Sequence, residues 1–414
     1  MSHLADKHQD DTLKCIRCGL CQVVCPIFAE MGAEQHVARG KVRLIRELMA
    51  GRLTVSPRLK EIMGLCLNCG ACVATCPPLV HTDKLVLAAR ARITREKGLP
   101  LALSGALHGL LPNNSLQALM AKMAYFYQQS GFQKLLRGSG LLKALPMELD
   151  KKESIMPNFA PRTFRSQLAD LPLKKGGKIK VAYYLSCMTN MVNPELGKAV
   201  IRVLENHGCE VVIPADVQCC GTPHLAYGDT DAALRIAASN ARLLAETGAE
   251  AIVTDCATCG ATLREYEEMV PEAAGFTAKV FDISAFLVGK LGLKAGDLPV
   301  EGVATYHDPC HLGRGQGVTA EPRAILKAIP GLEFREMAEA DRCCGGAGTF
   351  NIMHYDLSMK ILDRKLNNIA NVTPTLVVTG CPACKMQLEH GLGLRKSAAK
   401  VVHPVELLAK TYKE

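Results

Sequence analysis

Cys15-Ile16-Arg17-Cys18-Gly19-Leu20-Cys21-Gln22-Val23-Val24-Cys25-Pro26 fits the pattern C-x2-C-x2-C-x3-C-P, and the pattern returns at Cys66, Cys69, Cys72, Cys76 and Pro77. The close spacing wraps a short loop so that three thiolates converge on three irons of one cube, while each fourth cysteine, followed by proline, turns away to the other cluster. Two [4Fe-4S] clusters are therefore expected, the first held by Cys15, Cys18, Cys21 and Cys76, the second by Cys66, Cys69, Cys72 and Cys25. Zinc prefers two separated ligand pairs, and a triple with a remote fourth ligand is not that arrangement. Gly19 and Gly70 suit either a tight passage of backbone around sulfide or an ordinary turn.

The rest of the chain must accommodate this reading. Its 414 residues exceed what one hydrophobic core usually organises, so two or three domains are expected. Nineteen cysteines call for disulfides, metal or redox chemistry. The segment from Met1 to Asp11 has no apolar run, which predicts no secretory signal and a cytoplasmic protein, where disulfides are rare and metal-held thiolates lead. No stretch approaches a membrane span. The net charge of +9 is dispersed and would suit an acidic partner or an anionic membrane surface. With aromatics at 5% and no basic stripe interleaved with them, no nucleic-acid partner is expected.

The predicted fold is α+β and multidomain. An α-helical ferredoxin-type domain covers residues 1–90, with a helix from about Arg39 to Ala50 presenting Val42, Ile45, Leu48 and Met49 on one face. A helical connector and linker covers 91–177, leucine-rich from Leu99 to Leu149 and then rich in Pro, Lys and Gly. From Lys178 strand and helix alternate: strands at Ile179–Leu185, Cys209–Ile213 and Ala251–Thr254, helices from Pro194 to Gly208 and from Asp229 to Ala245. The order then repeats, with strands at Val303–Tyr306 and Thr375–Thr379 and a helix from about Asp356. Cys310 follows Cys187 by 123 residues, Cys343 follows Cys219 by 124 and Cys381 follows Cys256 by 125, so the C-terminal half is an internal duplication. Two α/β parallel-sheet domains, 178–295 and 296–414, are expected, with cysteines just after strands, where such sheets place ligands.

Each copy carries five thiols: Cys187, Cys219, Cys220, Cys256 and Cys259, then Cys310, Cys343, Cys344, Cys381 and Cys384. Adjacent cysteines make a poor disulfide, but two neighbouring thiolates reach different irons of one cluster. Spacing alone leaves iron-sulfur, zinc and structural thiols open. Cys209 falls in a strand outside both sets and is expected to be buried and structural. His224, His307, His311 and His354 lie near the cysteine turns, where hydrogen-bonded scaffold is the ordinary fate of a histidine. Gly313, Gly315 and Gly317 do not match G-x-G-x-x-G. No catalytic residue and no flavin or nicotinamide fingerprint is found. The basic, leucine-rich segment from Leu99 to Leu149 suits inter-domain packing or peripheral membrane contact.

A lone cysteine, Cys-Cys-Gly some thirty residues on, and then Cys-x-x-Cys resembles the cysteine-rich "CCG" domain of heterodisulfide reductases. With the two ferredoxin motifs, the layout over residues 12–390 is similar to the iron-sulfur subunit of glycolate oxidase, to lactate-utilisation iron-sulfur proteins and to the corresponding cysteine-rich subunit of anaerobic glycerol-3-phosphate dehydrogenase. The resemblance implies one noncubane [4Fe-4S] cluster in each five-cysteine set. It also implies an electron-transfer subunit of a flavin-dependent glycolate or D-lactate dehydrogenase, with FAD and the substrate site on a partner subunit. Electrons would leave to a quinone or another acceptor, with contact at the inner face of the cell membrane. Glycolate oxidase iron-sulfur proteins often lack cysteines in the C-x-x-C part, so Cys256, Cys259, Cys381 and Cys384 lean toward lactate-type or disulfide-reductase-like relatives. The alternatives implied are a disulfide-cleaving catalytic subunit and the glycerol-3-phosphate dehydrogenase component.

Overall fold

A computed structural model describes residues 8, 10–144 and 148–413. Helix Ala38–Met49 forms where expected and buries Val42, Ile45 and Leu48. They pack with Leu59, Ile62 and Met63 of helix Pro57–Gly64 and Leu85, Val86, Ala89 and Ile93 of helix Thr82–Lys97. Each such side chain contributes roughly 1.5–3 kcal/mol on burial. Ser56 sharpens the start of its helix by accepting from Leu59 N (3.2 Å) ahead of Pro57. Cys15, Cys66 and Cys76 rest against this small core.

The connector is helical at Leu101–Gly105, Asn114–Gln129 and Phe132–Gly138. The linker expected beyond it is partly a packed strap. Phe164 is fully buried and meets Tyr183 edge-on at 6.4 Å, and only a glycine fits at Gly197, since a Cβ there would stand 2.6 Å from the Phe164 ring. The Arg165 guanidinium donates to the carbonyls of Pro214, Ala215 and Val217. Its proline- and lysine-rich composition signals missing regular structure, not missing contacts.

Two four-stranded parallel sheets follow. The first has the order β2-β1-β3-β4, with β1 Ile179–Tyr183, β2 Cys209–Val212, β3 Ala251–Thr254 and β4 Val280–Asp282. The second has the order β6-β5-β7-β8, with β5 Gly302–His307, β6 Leu332–Phe334, β7 Leu376–Thr379 and β8 Lys400–Val402. The strands β4, β6 and β8 escape a periodicity reading because each has three residues and lies at a sheet edge. In each sheet the strand order reverses beside the first strand, between β1 and β3 and between β5 and β7. The crevice beyond the carboxyl ends of such strands is where parallel sheets bind ligands. No helix among the described residues is long and apolar enough to cross a membrane.

Candidate metal centres

The two N-terminal motifs fold alike. Arg17 and Asn68 take left-handed backbone angles (φ 58° and 52°), and so do Gly19 and Gly70 (φ 85° and 69°). Each loop thus turns twice in three residues, which aims successive thiols inward before a short helix begins at Leu20 or Ala71. The left-handed arginine and asparagine carry no signal in the sequence. Cys15, Cys18, Cys21 and Cys76 line one cavity, which Cys72 also borders. Cys25 lies instead with Cys66 and Cys69, and the Cys72 thiol faces Cys25, Cys66 and Cys69. Each triple is therefore joined by the distant cysteine of the other motif. Burial pushes Cys25 up to about 11 and raises Cys72. Cations stand close by: Arg39 near Cys15 and Cys21, Lys41 near Cys25, and Arg314 near Cys69.

The duplicated cysteines gather at the carboxyl ends of the sheets. Cys187 and Cys310 open the helices after β1 and β5, and Cys256 and Cys381 cap the helices after β3 and β7. Cys259 and Cys384 sit in the first turns of those helices. The adjacent pairs precede Gly221 and Gly345, both left-handed (φ 87° and 82°). In the first repeat the thiols touch in the order Cys187, Cys219, Cys220, Cys259, Cys256. In the second the order is Cys310, Cys343, Cys344, Cys384, Cys381. The two series meet where Cys256 contacts Cys381. Here Thr258 Oγ1 lies 3.7 Å from Cys381 Sγ, and Ala257 N donates to Gly380 O at 3.2 Å.

Eight of these ten cysteines are buried, with Cys187 and Cys310 half-buried. Within each adjacent pair one thiol is driven up and its neighbour down. Bonds with Cys187 and Cys220 raise Cys219, and those with Cys310 and Cys344 raise Cys343, while Cys220 and Cys344 fall as partners of their neighbours. Thiols packed so tightly cannot all ionise without cationic charge among them. Multi-iron clusters supply such charge, and the donor sets fit them. Buried Lys365 lies near Cys343 and Cys344 and donates to the carbonyls of Glu339 and Ala340.

The other residues singled out in the sequence separate cleanly. Cys209 is buried in β2, away from both series. His224 Nε2 bonds Leu107 O at 2.9 Å, and His354 packs on the Phe350 ring. His311 Nδ1 lies 3.7 Å from Cys310 Sγ, whereas His307 finds no oxygen or nitrogen partner among the described residues and faces the Cys344 thiol. Gly315 serves helix packing, since a Cβ there would come within 3.2 Å of Ala261 Cβ on the neighbouring helix Ala257–Met269.

Contacts between the parts were not legible in the sequence. The Cys69 thiol hydrogen-bonds with Cys343, which raises it, as does burial. Arg314 Nη1 reaches Cys69 O at 3.5 Å. Arg90 donates to the carbonyls of Met63, Gly64 and Cys66 and, with Nη1, to Ala226 O, tying the second motif to the first repeat. Burial lowers its pKa.

Comparison with known proteins agrees with this layout. Residues 11–80 match a 4Fe-4S dicluster domain, and residues 181–264 and 304–389 each match a cysteine-rich domain. Residues 101–156 match the linker region of the glycolate oxidase iron-sulfur subunit. A protein of Bacillus subtilis (strain 168), named "Probable glycolate oxidase iron-sulfur subunit", is 33% identical over 97% of this chain and 94% of its own length. The chain belongs to the glycolate oxidase iron-sulfur subunit family. Within that family, the glycolate oxidase iron-sulfur subunit of Escherichia coli (strain K12) is 25% identical over 90% of this chain and 89% of its own. A component of the dihydromethanophenazine:CoB–CoM heterodisulfide reductase of Methanosarcina barkeri (strain Fusaro / DSM 804) is 26% identical over 96% of this chain and 93% of its own. The linker match and the Bacillus subtilis relative place the chain with glycolate oxidase iron-sulfur proteins, and it carries Cys256, Cys259, Cys381 and Cys384. The chain is an iron-sulfur protein of an oxidoreductase family, with a ferredoxin-type domain ahead of two cysteine-rich domains.

Proposed function

We propose that this chain is the electron-transfer subunit of a flavin-dependent 2-hydroxy-acid dehydrogenase, with glycolate the leading substrate and D-lactate the alternative. FAD and the substrate site belong to a partner subunit, and a quinone or another acceptor takes the electrons. The observation that carries this reading is the unbroken succession of thiols. It runs from exposed Cys18 through the two motifs to Cys69, across to Cys343, and on to Cys381, Cys256 and Cys187. Iron-sulfur clusters exchange single electrons at potentials set by burial, hydrogen bonds to sulfur and local charge.

The residues would divide the work as follows. Cys15, Cys18, Cys21 and Cys76 hold the outermost centre, and Cys25, Cys66, Cys69 and Cys72 the one beside the second repeat. The two five-cysteine sets hold a cluster each. Arg39, Lys41 and Arg314 offset the negative charge of the thiolates around them. A disulfide-reductase reading rests on the same crowding of ten thiols and on the likeness to a heterodisulfide reductase component. Iron and sulfide analysis of anaerobically purified protein tests the proposal. About eight irons per chain are expected from the two motifs, rising toward about sixteen with the repeats filled. Glycolate should bleach the iron-sulfur absorbance when the partner flavoprotein is added. Zinc without iron, or bleaching by a thiol–disulfide couple alone, would overturn it.

A further inference from the structure

The two repeats differ at a buried position three residues before the first cysteine of each set. In the first repeat this is Tyr184, whose hydroxyl donates to Gln218 O at 2.7 Å, so its polar atom is satisfied within its own repeat. In the second it is His307, at the end of β5. The His307 ring is fully buried, and among the described residues neither Nδ1 nor Nε2 finds an oxygen or nitrogen partner; the ring faces the Cys344 thiol instead and lowers it. A buried donor or acceptor without an oxygen or nitrogen partner is destabilising unless another group takes its place. Of the other buried histidines, His224 meets Leu107 O, His403 meets Val405 N, and His36 meets the Gln35 side chain. His307 instead places a ring nitrogen, Cys344 Sγ and Cys384 Sγ all within 4.8 Å of one another. Nitrogen and thiolate sulfur at that separation are a metal-ligand set, and histidine is known to replace cysteine on iron in some clusters.

We infer that His307 supplies a nitrogen ligand to the iron-sulfur centre of the second repeat, alongside the thiolates of Cys310, Cys343, Cys344, Cys381 and Cys384. The two duplicated centres are then chemically distinct. The first is held by thiolates alone, with Tyr184 bonded away from it, and the second has mixed sulfur and nitrogen ligation. This rests on the proposal that each repeat holds a cluster. The centre so distinguished is the one adjoining Cys69.

The test uses the full chain, purified anaerobically with ¹⁵N-histidine, and reads nitrogen hyperfine coupling by pulsed electron paramagnetic resonance. Wild type should show one strongly coupled histidine nitrogen. The coupling should persist in Cys219→Ser, which breaks only the first repeat, and in His311→Gln, and should vanish in His307→Gln and Cys343→Ser. If iron approaches sixteen per chain and no histidine nitrogen is coupled, the inference fails while the cluster reading stands. If Cys343→Ser loses no iron, or the second repeat holds zinc alone, the cluster reading fails and takes the inference with it. Should His307→Gln not fold, labelled wild type and His311→Gln still decide, since a coupling absent from either overturns the assignment.

Discussion

The two cysteine-rich repeats share strand order, cysteine spacing and left-handed Cys-Cys-Gly turns, yet they differ in the buried polar residues behind the thiols. Tyr184 corresponds to His307. Asn240, the eleventh residue of helix Thr230–Glu246, donates to Cys219 O at 3.1 Å, and the eleventh residue of helix Tyr355–Asn371 is Lys365, which donates to Ala340 O at 3.0 Å. Asp282 accepts from Ser284 N at the helix start after β4, and His403 accepts from Val405 N at the helix start after β8. Each pair fills one structural role with different chemistry. A fold can thus keep a ligand frame twice and still give the two frames separate electrostatic surroundings.

The comparison breaks most visibly at Cys343, which touches Cys69, whereas the thiols that touch Cys219 are those of Cys187 and Cys220 in its own repeat. Cys343→Ser should remove about four irons and cut both repeats off from the first two clusters, while Cys219→Ser should remove about four and silence the first repeat alone. Rapid-mixing absorbance after reduction of the full chain separates the two outcomes, and equal behaviour of the variants would remove the proposed order of transfer.

A second contrast lies in pH dependence. Burial raises Asp282 to about 7 and lowers His403 to about 4. An Asp raised in the folded state holds a proton that the unfolded chain has lost, so its contribution is full below about 3.8 and declines as pH rises to about 7. A His lowered in the folded state stays neutral where the unfolded chain is protonated, so its contribution is full above about 6.5 and declines as pH falls to about 4. Between pH 4 and 6.5 the two slopes oppose each other at up to ~1.4 kcal/mol per pH unit. Relative to wild type, Asp282→Asn should tilt stability toward rising with pH over this window, and His403→Asn should tilt it toward falling, each by a few kcal/mol across the range. Denaturant titrations at pH 4.5 and 6.5 check the signs.

The smallest effect concerns Lys365, whose pKa burial lowers to about 8, leaving it mainly charged at pH 7. A buried cation favours the reduced form of a nearby centre. Lys365→Met should therefore lower the potential of the second repeat's centre by on the order of 50–100 mV and leave that of the first unchanged. Redox titration monitored by paramagnetic resonance measures both, and an equal shift in the two would show that the charge is not local.

Much of this was legible from spacing. The motif at 15–26 declares itself because its first three thiols lie within seven residues, and the loop that carries them has little freedom to do otherwise. The duplication shows because insertions shifted its cysteine offsets only from 123 to 125. Apolar runs announced β1, β3, β5 and β7, which bury most of their length. Only tertiary structure decided that Cys69 meets Cys343 and Cys256 meets Cys381, that Gly315 admits a helix, and that His307 faces Cys344 and Cys384. The physical reason is range: local geometry follows from the chain's own bond rotations over a few residues, whereas a contact between positions hundreds of residues apart depends on how whole packed surfaces fit, which no local pattern records.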